Sequence, residues 1–241
     1  MTYTQPDLEM IDEYAEAWSY YLIEASAKLS VEQGPCIWNN ETKYSDGITP
    51  NMTYKKDVDD LVPHVERMNW NKLRETLKHT GIRNSTLMAL MPAETSAQIS
   101  NSTNGIEPPR AYVSVKQSKD GVLKQVVPGY PRLKNKYELL WDQHSPQGYL
   151  SIMAVLQKYI DQGISVNTSY NPVHYEEEKI PMSTMLQDLL YSYKYGLKQL
   201  YYFNTYDGSG DDIGDRVQSI TIDELDQVQE EDDVNCESCV I

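Results

Sequence analysis

The sequence predicts an α/β fold, and three observations carry that prediction. Segments with helical apolar spacing alternate with short runs of strand character, and a Lys-Asp-Gly turn joins two alternating runs. An apolar content of 40 % in 241 residues is enough to bury a real core. Taken in order, LEMIDEYAEAWSYYLIEASAKLSVEQG places Leu8, Ile11, Tyr14, Ala15, Trp18, Leu22, Ala25 and Leu29 at helical spacing, and Gly34-Pro35 stops this long amphipathic helix. NWNKLRETLKHTG is a second helix, opened by Asn69 and closed by Gly81. STLMALM is a buried strand ended by Pro92, and TSAQISN opens a new helix just after it. AYVSVKQSKDGVLKQVVP is a hairpin turning at Lys119, Asp120 and Gly121. Helices are expected at 131–142, at 147–162 and, after Pro181, at 182–198; QLYYFN is a last short strand, and YDGSGDDIGD breaks all regularity.

The formal charge of −15 is uneven. From Asp207 to Ile241 there are twelve acids against one Arg, a net of −11, which leaves −4 for residues 1–206. This composition predicts a folded portion over 1–206 and a disordered acidic tail over 207–241, because high charge with few aromatics does not offset the entropy of ordering. No basic patch suits nucleic acid or an anionic membrane. MTYTQPDLEM lacks the features of a secretory signal and no run approaches a membrane span, so the expected location is the cytoplasm. The N-x-[ST] sequons at Asn40, Asn51, Asn84, Asn101 and Asn167 are accordingly not expected to carry sugar.

Three constellations bear on chemistry. The tail ends in Cys236-Glu237-Ser238-Cys239, two of the three cysteines, in a setting with little to bury. Zinc needs about four ligands, and His174 and Cys36 lie far off, so no metal site is expected; the fourth residue from the end is Ser238, not the Cys that prenylation requires. What remains is a dithiol able to cycle with a disulfide, or two incidental exposed thiols. Neighbouring acids hold such thiols near or above the ordinary ~8.5. Reach is the tail's asset: Cys236 lies 29 residues beyond Asp207, a span of roughly 30 Å that keeps the pair at roughly millimolar effective concentration around the body.

The second constellation is STLMALMPAETSAQIS, where a strand runs through a turn into a helix start. Backbone N–H groups at Ala93, Glu94, Thr95 and Ser96 could hold a phosphate, or Thr95 or Ser96 could simply cap the helix. Third is Tyr201-Tyr202. With 19 tyrosines the dipeptide is no signal in itself, and Tyr20-Tyr21 is another. On a regular strand the two would face opposite ways; two touching phenols that relay an electron and a proton require a bent backbone. Cys36, beside Pro35, Ile37 and Trp38, is expected to be a packed structural thiol.

GIRNSTLMALMPAETSAQISNSTNGIEPPRAYVS, KQLYYFNTYDG and the terminal CESCVI, in this order, resemble the C-terminal third of the large subunit of class I ribonucleotide reductase, from about residue 11 onwards. The resemblance implies the closing portion of a ten-stranded α/β barrel with surrounding helices, whose strand at 85–91 feeds a substrate phosphate loop. Pro92, Ala93, Glu94, Thr95 and Ser96 would bind the phosphates of a ribonucleoside diphosphate; where this chain has Ala93 the family commonly has Ser or Thr, so one hydroxyl contact is absent. Tyr202, the outer member, and Tyr201, the inner, would be a radical relay fed by the small subunit. Cys236 and Cys239 would be the tail dithiol that re-reduces the active site and is restored by thioredoxin or glutaredoxin. No cofactor is expected on this chain; the family implies a di-iron/tyrosyl radical centre in the small subunit.

The family's thiyl-forming cysteine, its active-site cysteine pair and its effector sites belong upstream of anything present here. The resemblance therefore implies one half of a large subunit in two pieces, inactive without an N-terminal partner half. Residues 1–10 begin with their own Met and fall outside the resemblance, which favours a separately made chain. The competing reading is a binding module that docks on a small subunit without taking part in catalysis.

Overall fold

The computed structural model describes residues 2–93, 95–118 and 121–208. They fall into two compact units inside the span that the sequence treats as one folded portion. The first comprises residues up to 92 together with 143–205, and the second 93–142 with the described residues from 206 onward.

In the first unit, helix α1 (Leu8–Gln33) packs against α3 (Trp70–Thr80) and α6 (Gln147–Gln157), while the short α2 (Pro50–Thr53) lies between α1 and α3 in sequence. Asp7 caps α1 by accepting the Met10 N–H at 3.1 Å, and Asn69 caps α3 through Lys72 N–H at 3.2 Å. Gly81 ends α3 at φ 67, a conformation that costs glycine nothing. The core between these helices includes Tyr20, Ile23, Trp70, Leu77, Leu150 and Met153.

The buried face of α1 differs from the expected stripe. It is made of Asp12, Ala15, Glu16, Ser19, Tyr20, Ile23, Ser26, Ala27 and Ser30, whereas Tyr14, Trp18 and Leu29 are exposed. Small residues let α1 approach its neighbours closely, and the two buried acids are satisfied by partners distant in sequence. Glu16 accepts from the N–H groups of Arg67 (2.7 Å) and Met68 (3.1 Å) and from Trp70 Nε1 (2.8 Å). Asp12 accepts from Lys158 Nζ at 2.7 Å, Arg67 at 2.9 Å and the Tyr159 hydroxyl at 2.9 Å.

Three extended segments run side by side in parallel. Residues 87–90 bond to 162–165 through Gln162 N–H to Met88 O (3.1 Å), Leu90 N–H to Gly163 O (3.3 Å) and Ser165 N–H to Leu90 O (2.9 Å). The expected strand at 85–91 is thus an extended segment with a single ladder position, Leu90 opposite Ile164. Its first amides go instead to a side chain: Asp161 accepts from Leu87 N–H at 2.8 Å and Met88 N–H at 3.0 Å. Further along, strand β3 (Thr168–Tyr170) pairs in parallel with β4 (Phe203–Thr205), Thr168 opposite Phe203. The last strand is therefore shorter and later than QLYYFN suggests.

Two expected helices end early. Helix α6 stops at Gln157, where Lys158 and Tyr159 turn to Asp12 and their N–H groups tighten to Val155 O (3.2 Å) and Leu156 O (3.1 Å). Helix α7 (Met182–Lys194) gives way to Gly196 at φ 82.

In the second unit, α4 (Thr95–Ile99) is a single short turn followed by the antiparallel hairpin of β1 (Val113–Ser118) and β2 (Gly121–Val126). Ser118 opposite Gly121 leaves Lys119 and Asp120 as the connection; both lie outside the described residues. The helix expected at 131–142 is broken into α5 (Tyr130–Leu133) and 3-10 turns at Lys134–Lys136 and Leu140–Asp142. Tyr137 leaves helical geometry at ψ 139 as its hydroxyl donates to Pro128 O at 2.7 Å, and Leu140 N–H is taken by Pro109 O at 2.9 Å.

Candidate functional site

Tyr201 and Tyr202 precede β4 on the segment that lies beside 164–168. Tyr201 N–H donates to Val166 O at 2.7 Å, Tyr202 N–H to Asn167 Oδ1 at 3.1 Å, and Thr168 N–H to Tyr202 O at 2.9 Å. Replacing a backbone acceptor by the Asn167 side chain takes the chain out of regular alternation. As a result both rings lie on one side, their centroids 4.1 Å apart at 48°, with Tyr201 53 % and Tyr202 56 % exposed. Interaction with the neighbouring Tyr202 phenol pushes the Tyr201 pKa up. Just beyond, Phe203 stacks on buried Tyr170, centroids 4.8 Å apart, which anchors the segment from below. Two phenols in contact and open to solvent can exchange a hydrogen atom.

The candidate phosphate loop is organised differently. Pro92 ends the first unit and has no N–H to offer. Ala93 N–H donates to Asn104 O, and Ser96 N–H returns to Ala93 O at 3.0 Å, so two of the amides expected to meet an anion are engaged within the turn. Thr95 and Ser96 have exposed side chains, while Glu94 lies outside the described residues. Helix α4 has five residues, and its dipole is correspondingly small.

Cys236 and Cys239 lie outside the described residues. Cys36 is partly buried against the core, its N–H held by Ile82 O at 2.9 Å, but its neighbours Ile37 and Trp38 are exposed rather than packed around it. Among the described residues no group of three or more His, Cys, Asp or Glu is arranged to hold a metal ion, and no helix is long and apolar enough to cross a membrane.

Sequence reasoning did not anticipate the turn at 160–162. Besides Leu87 and Met88, the Asp161 carboxylate accepts the Tyr44 hydroxyl at 2.9 Å, and burial, reinforced by the Asp161 charge and this bond, drives the Tyr44 pKa upward. On the turn's other side Lys198 Nζ donates to the carbonyls of Ile160 (3.2 Å), Asp161 (2.7 Å) and Gln162 (2.7 Å). The cluster in which the buried Asp12, Glu16 and Lys158 meet the partly exposed Arg67 was equally unforeseen. Its signal was present as two acids four residues apart on a helix, on the same face as Ser19, Tyr20 and Ile23.

A family model described as "ribonucleotide reductase, barrel domain" matches residues 1–203. The match includes residues 1–10, which the sequence reading set outside the resemblance, and so removes the support they lent to a separately made chain. The chain is 55 % identical over 208 residues to ribonucleoside-diphosphate reductase 1 subunit alpha of Salmonella typhimurium and of Escherichia coli, covering 86 % of this chain and 27 % of each relative. It is 45 % identical over 206 residues to ribonucleoside-diphosphate reductase subunit alpha of Enterobacteria phage T4, again covering 27 % of the relative. The chain thus spans little more than a quarter of the length of these relatives. A match over nearly the whole folded span, joined to parallel extended segments bridged by helices, places the chain in the ribonucleotide reductase barrel-domain family, as a C-terminal part of the large, or alpha, subunit.

Proposed function

We propose that this chain supplies the outer relay, the substrate phosphate loop and the tail dithiol of a ribonucleoside-diphosphate reductase, and completes a ten-stranded barrel with an N-terminal partner half in the cytoplasm. The observation that carries the proposal is the Tyr201–Tyr202 contact, 4.1 Å between ring centroids on an exposed strand approach. A phenoxyl radical formed on Tyr202 takes the hydrogen atom of the Tyr201 hydroxyl. One electron and one proton move together, Tyr202 is restored as a phenol, and the radical rests on Tyr201. Tyr201 is then restored by a hydrogen atom from a thiol of the partner half. The di-iron/tyrosyl radical centre of a small subunit would supply the initial oxidation.

Substrate phosphates would meet the Thr95 and Ser96 hydroxyls and the local amides. The Ala93 N–H joins only if it leaves Asn104, so the loop would reorganise on binding. After turnover the dithiol of Cys236 and Cys239 reduces the active-site disulfide by thiol-disulfide exchange, becoming a disulfide that thioredoxin or glutaredoxin reduces in turn.

The test is reconstitution of this chain with the N-terminal portion of a large subunit and a small subunit. Nucleoside diphosphate reduction is expected only in the complete mixture, and Tyr201→Phe or Tyr202→Phe should abolish it even with artificial dithiol. Cys236→Ser should fail with thioredoxin and recover with a small dithiol. Turnover retained by the tyrosine variants would refute the relay. Binding to the small subunit without any activity would favour a docking module instead.

A further inference from the structure

Between the Tyr201–Tyr202 segment and the extended residues 87–90 lies the 160–168 stretch, which bonds to both. Its upstream end is held from two sides. The Asp161 carboxylate takes the Leu87 and Met88 amides, and the turn's carbonyls point the other way, to Lys198 and to Gln157 Nε2, which reaches Ile160 O at 3.1 Å and Gln162 O at 2.9 Å. Lys198 is the member of this set that belongs to the tyrosine segment, three residues before Tyr201. Each of its three ammonium hydrogens has a carbonyl within 3.2 Å, the full donor capacity of a lysine.

From this clamp the two segments run alongside each other. Gln199 Nε2 reaches Ile164 O at 3.4 Å, Tyr201 N–H meets Val166 O, and Tyr202 N–H meets Asn167. A strand slipped by one residue turns every side chain to the opposite face. A slip here would also exchange the acceptors at Val166 and Asn167, and the two rings would part. Lys198 grips the turn at the upstream end, before the first of these bonds.

We propose that Lys198 is a positioning residue for the tyrosine pair, acting through the 160–162 turn: its ammonium sets the register that brings the Tyr201 and Tyr202 rings into contact. The catalytic meaning of the pair rests on the function proposed above, but the positioning claim stands on the geometry alone.

The experiment separates the two. With 3-nitrotyrosine placed at position 201 of the full chain, absorbance titration reads the influence of the adjoining Tyr202 phenol, and Tyr202→Phe supplies the baseline without its hydroxyl. Lys198→Met should move the titration most of the way to that baseline, a change of up to about fivefold in the phenolate-to-phenol ratio at fixed pH, the scale of one polar contact between the phenols. Lys198→Arg, which keeps the charge and the donors, should restore most of the difference. An unchanged titration in folded Lys198→Met, judged by an unaltered far-UV spectrum and urea midpoint, overturns the proposal. If the Met variant does not fold, the same titration on Lys198→Gln decides between the same two outcomes. If the titration moves as expected but Tyr201→Phe keeps full turnover in the reconstituted complex, the positioning role stands and the relay falls.

Discussion

Removing the Asp12 carboxylate is the sharpest test of what holds the first unit together. Asp12 and Lys158 both have 0 % side-chain exposure, and their atoms are 2.7 Å apart. In Asp12→Ala, the next anion to Lys158 is Asp59 at 4.0 Å, Arg67 retains Glu16 at 3.2 Å, and the Tyr159 hydroxyl loses its acceptor. Breaking one side of a buried pair typically costs about 3–5 kcal/mol, because the surviving charge stays desolvated. For a chain of this size each kcal/mol moves the melting temperature by roughly 2–4 °C, so Asp12→Ala should melt roughly 6–20 °C lower. The assay is urea and thermal unfolding followed by far-UV circular dichroism. Adding Lys158→Met removes the stranded charge and should recover much of the loss. A single variant costing under about 1 kcal/mol, or a double variant no better than Asp12→Ala, would refute the reasoning.

Other outcomes follow from the same geometry. Gly148→Ala would set a Cβ 1.9 Å from Tyr3 O and 3.0 Å from Thr4 O; it should lower the urea midpoint, by about 1–3 kcal/mol of overpacking, and deleting residues 1–5 should cancel the effect. Tyr201→Phe and Tyr202→Phe remove only hydroxyls from half-exposed rings, so unfolding should change by less than about 0.5 kcal/mol while turnover is lost, which separates relay from scaffold. Burial pushes the Asp188 carboxyl pKa up, partly offset by bonds from Gln147 and Tyr170. The folded chain therefore holds that proton more tightly than the unfolded chain, and the contribution to stability is full below the ordinary value and lost as pH rises through the raised one. The stability of wild type relative to Asp188→Asn, measured by denaturation from pH 7 down to 4, should shift in favour of wild type as pH falls.

What was legible in the sequence was local. Asn69 and Gly81 bracket α3 because capping chemistry acts within one turn, and the hairpin register follows from its own turn residues. The buried face of α1 was misread because Asp12 and Glu16 become core residues only when Arg67 and Lys158 arrive, contacts that no helical periodicity encodes. For the segment at 87–90, a run of apolar residues predicted burial correctly for Met88 but not that its amides would be taken by the Asp161 side chain. The Tyr201–Tyr202 contact depended on a bend that a dipeptide cannot announce, since the acceptor responsible, Asn167, sits 35 residues away. In the segment from 85 to 99, the order of extended run, turn and helix was readable, whereas the capture of Ala93 N–H by Asn104 was not.

The same long-range closure has a kinetic side. Bonds joining Asp12 to Lys158 and Tyr159 span 146 and 147 residues. At ribosomal speeds of roughly 5–20 residues per second, Asp12 waits about 7–30 s after its synthesis before it can meet Lys158 and Tyr159. Until that partner arrives the Asp12 carboxylate keeps its end of the nascent face hydrated, so a charge that later locks the helix in place first serves to keep it from collapsing onto the wrong neighbour.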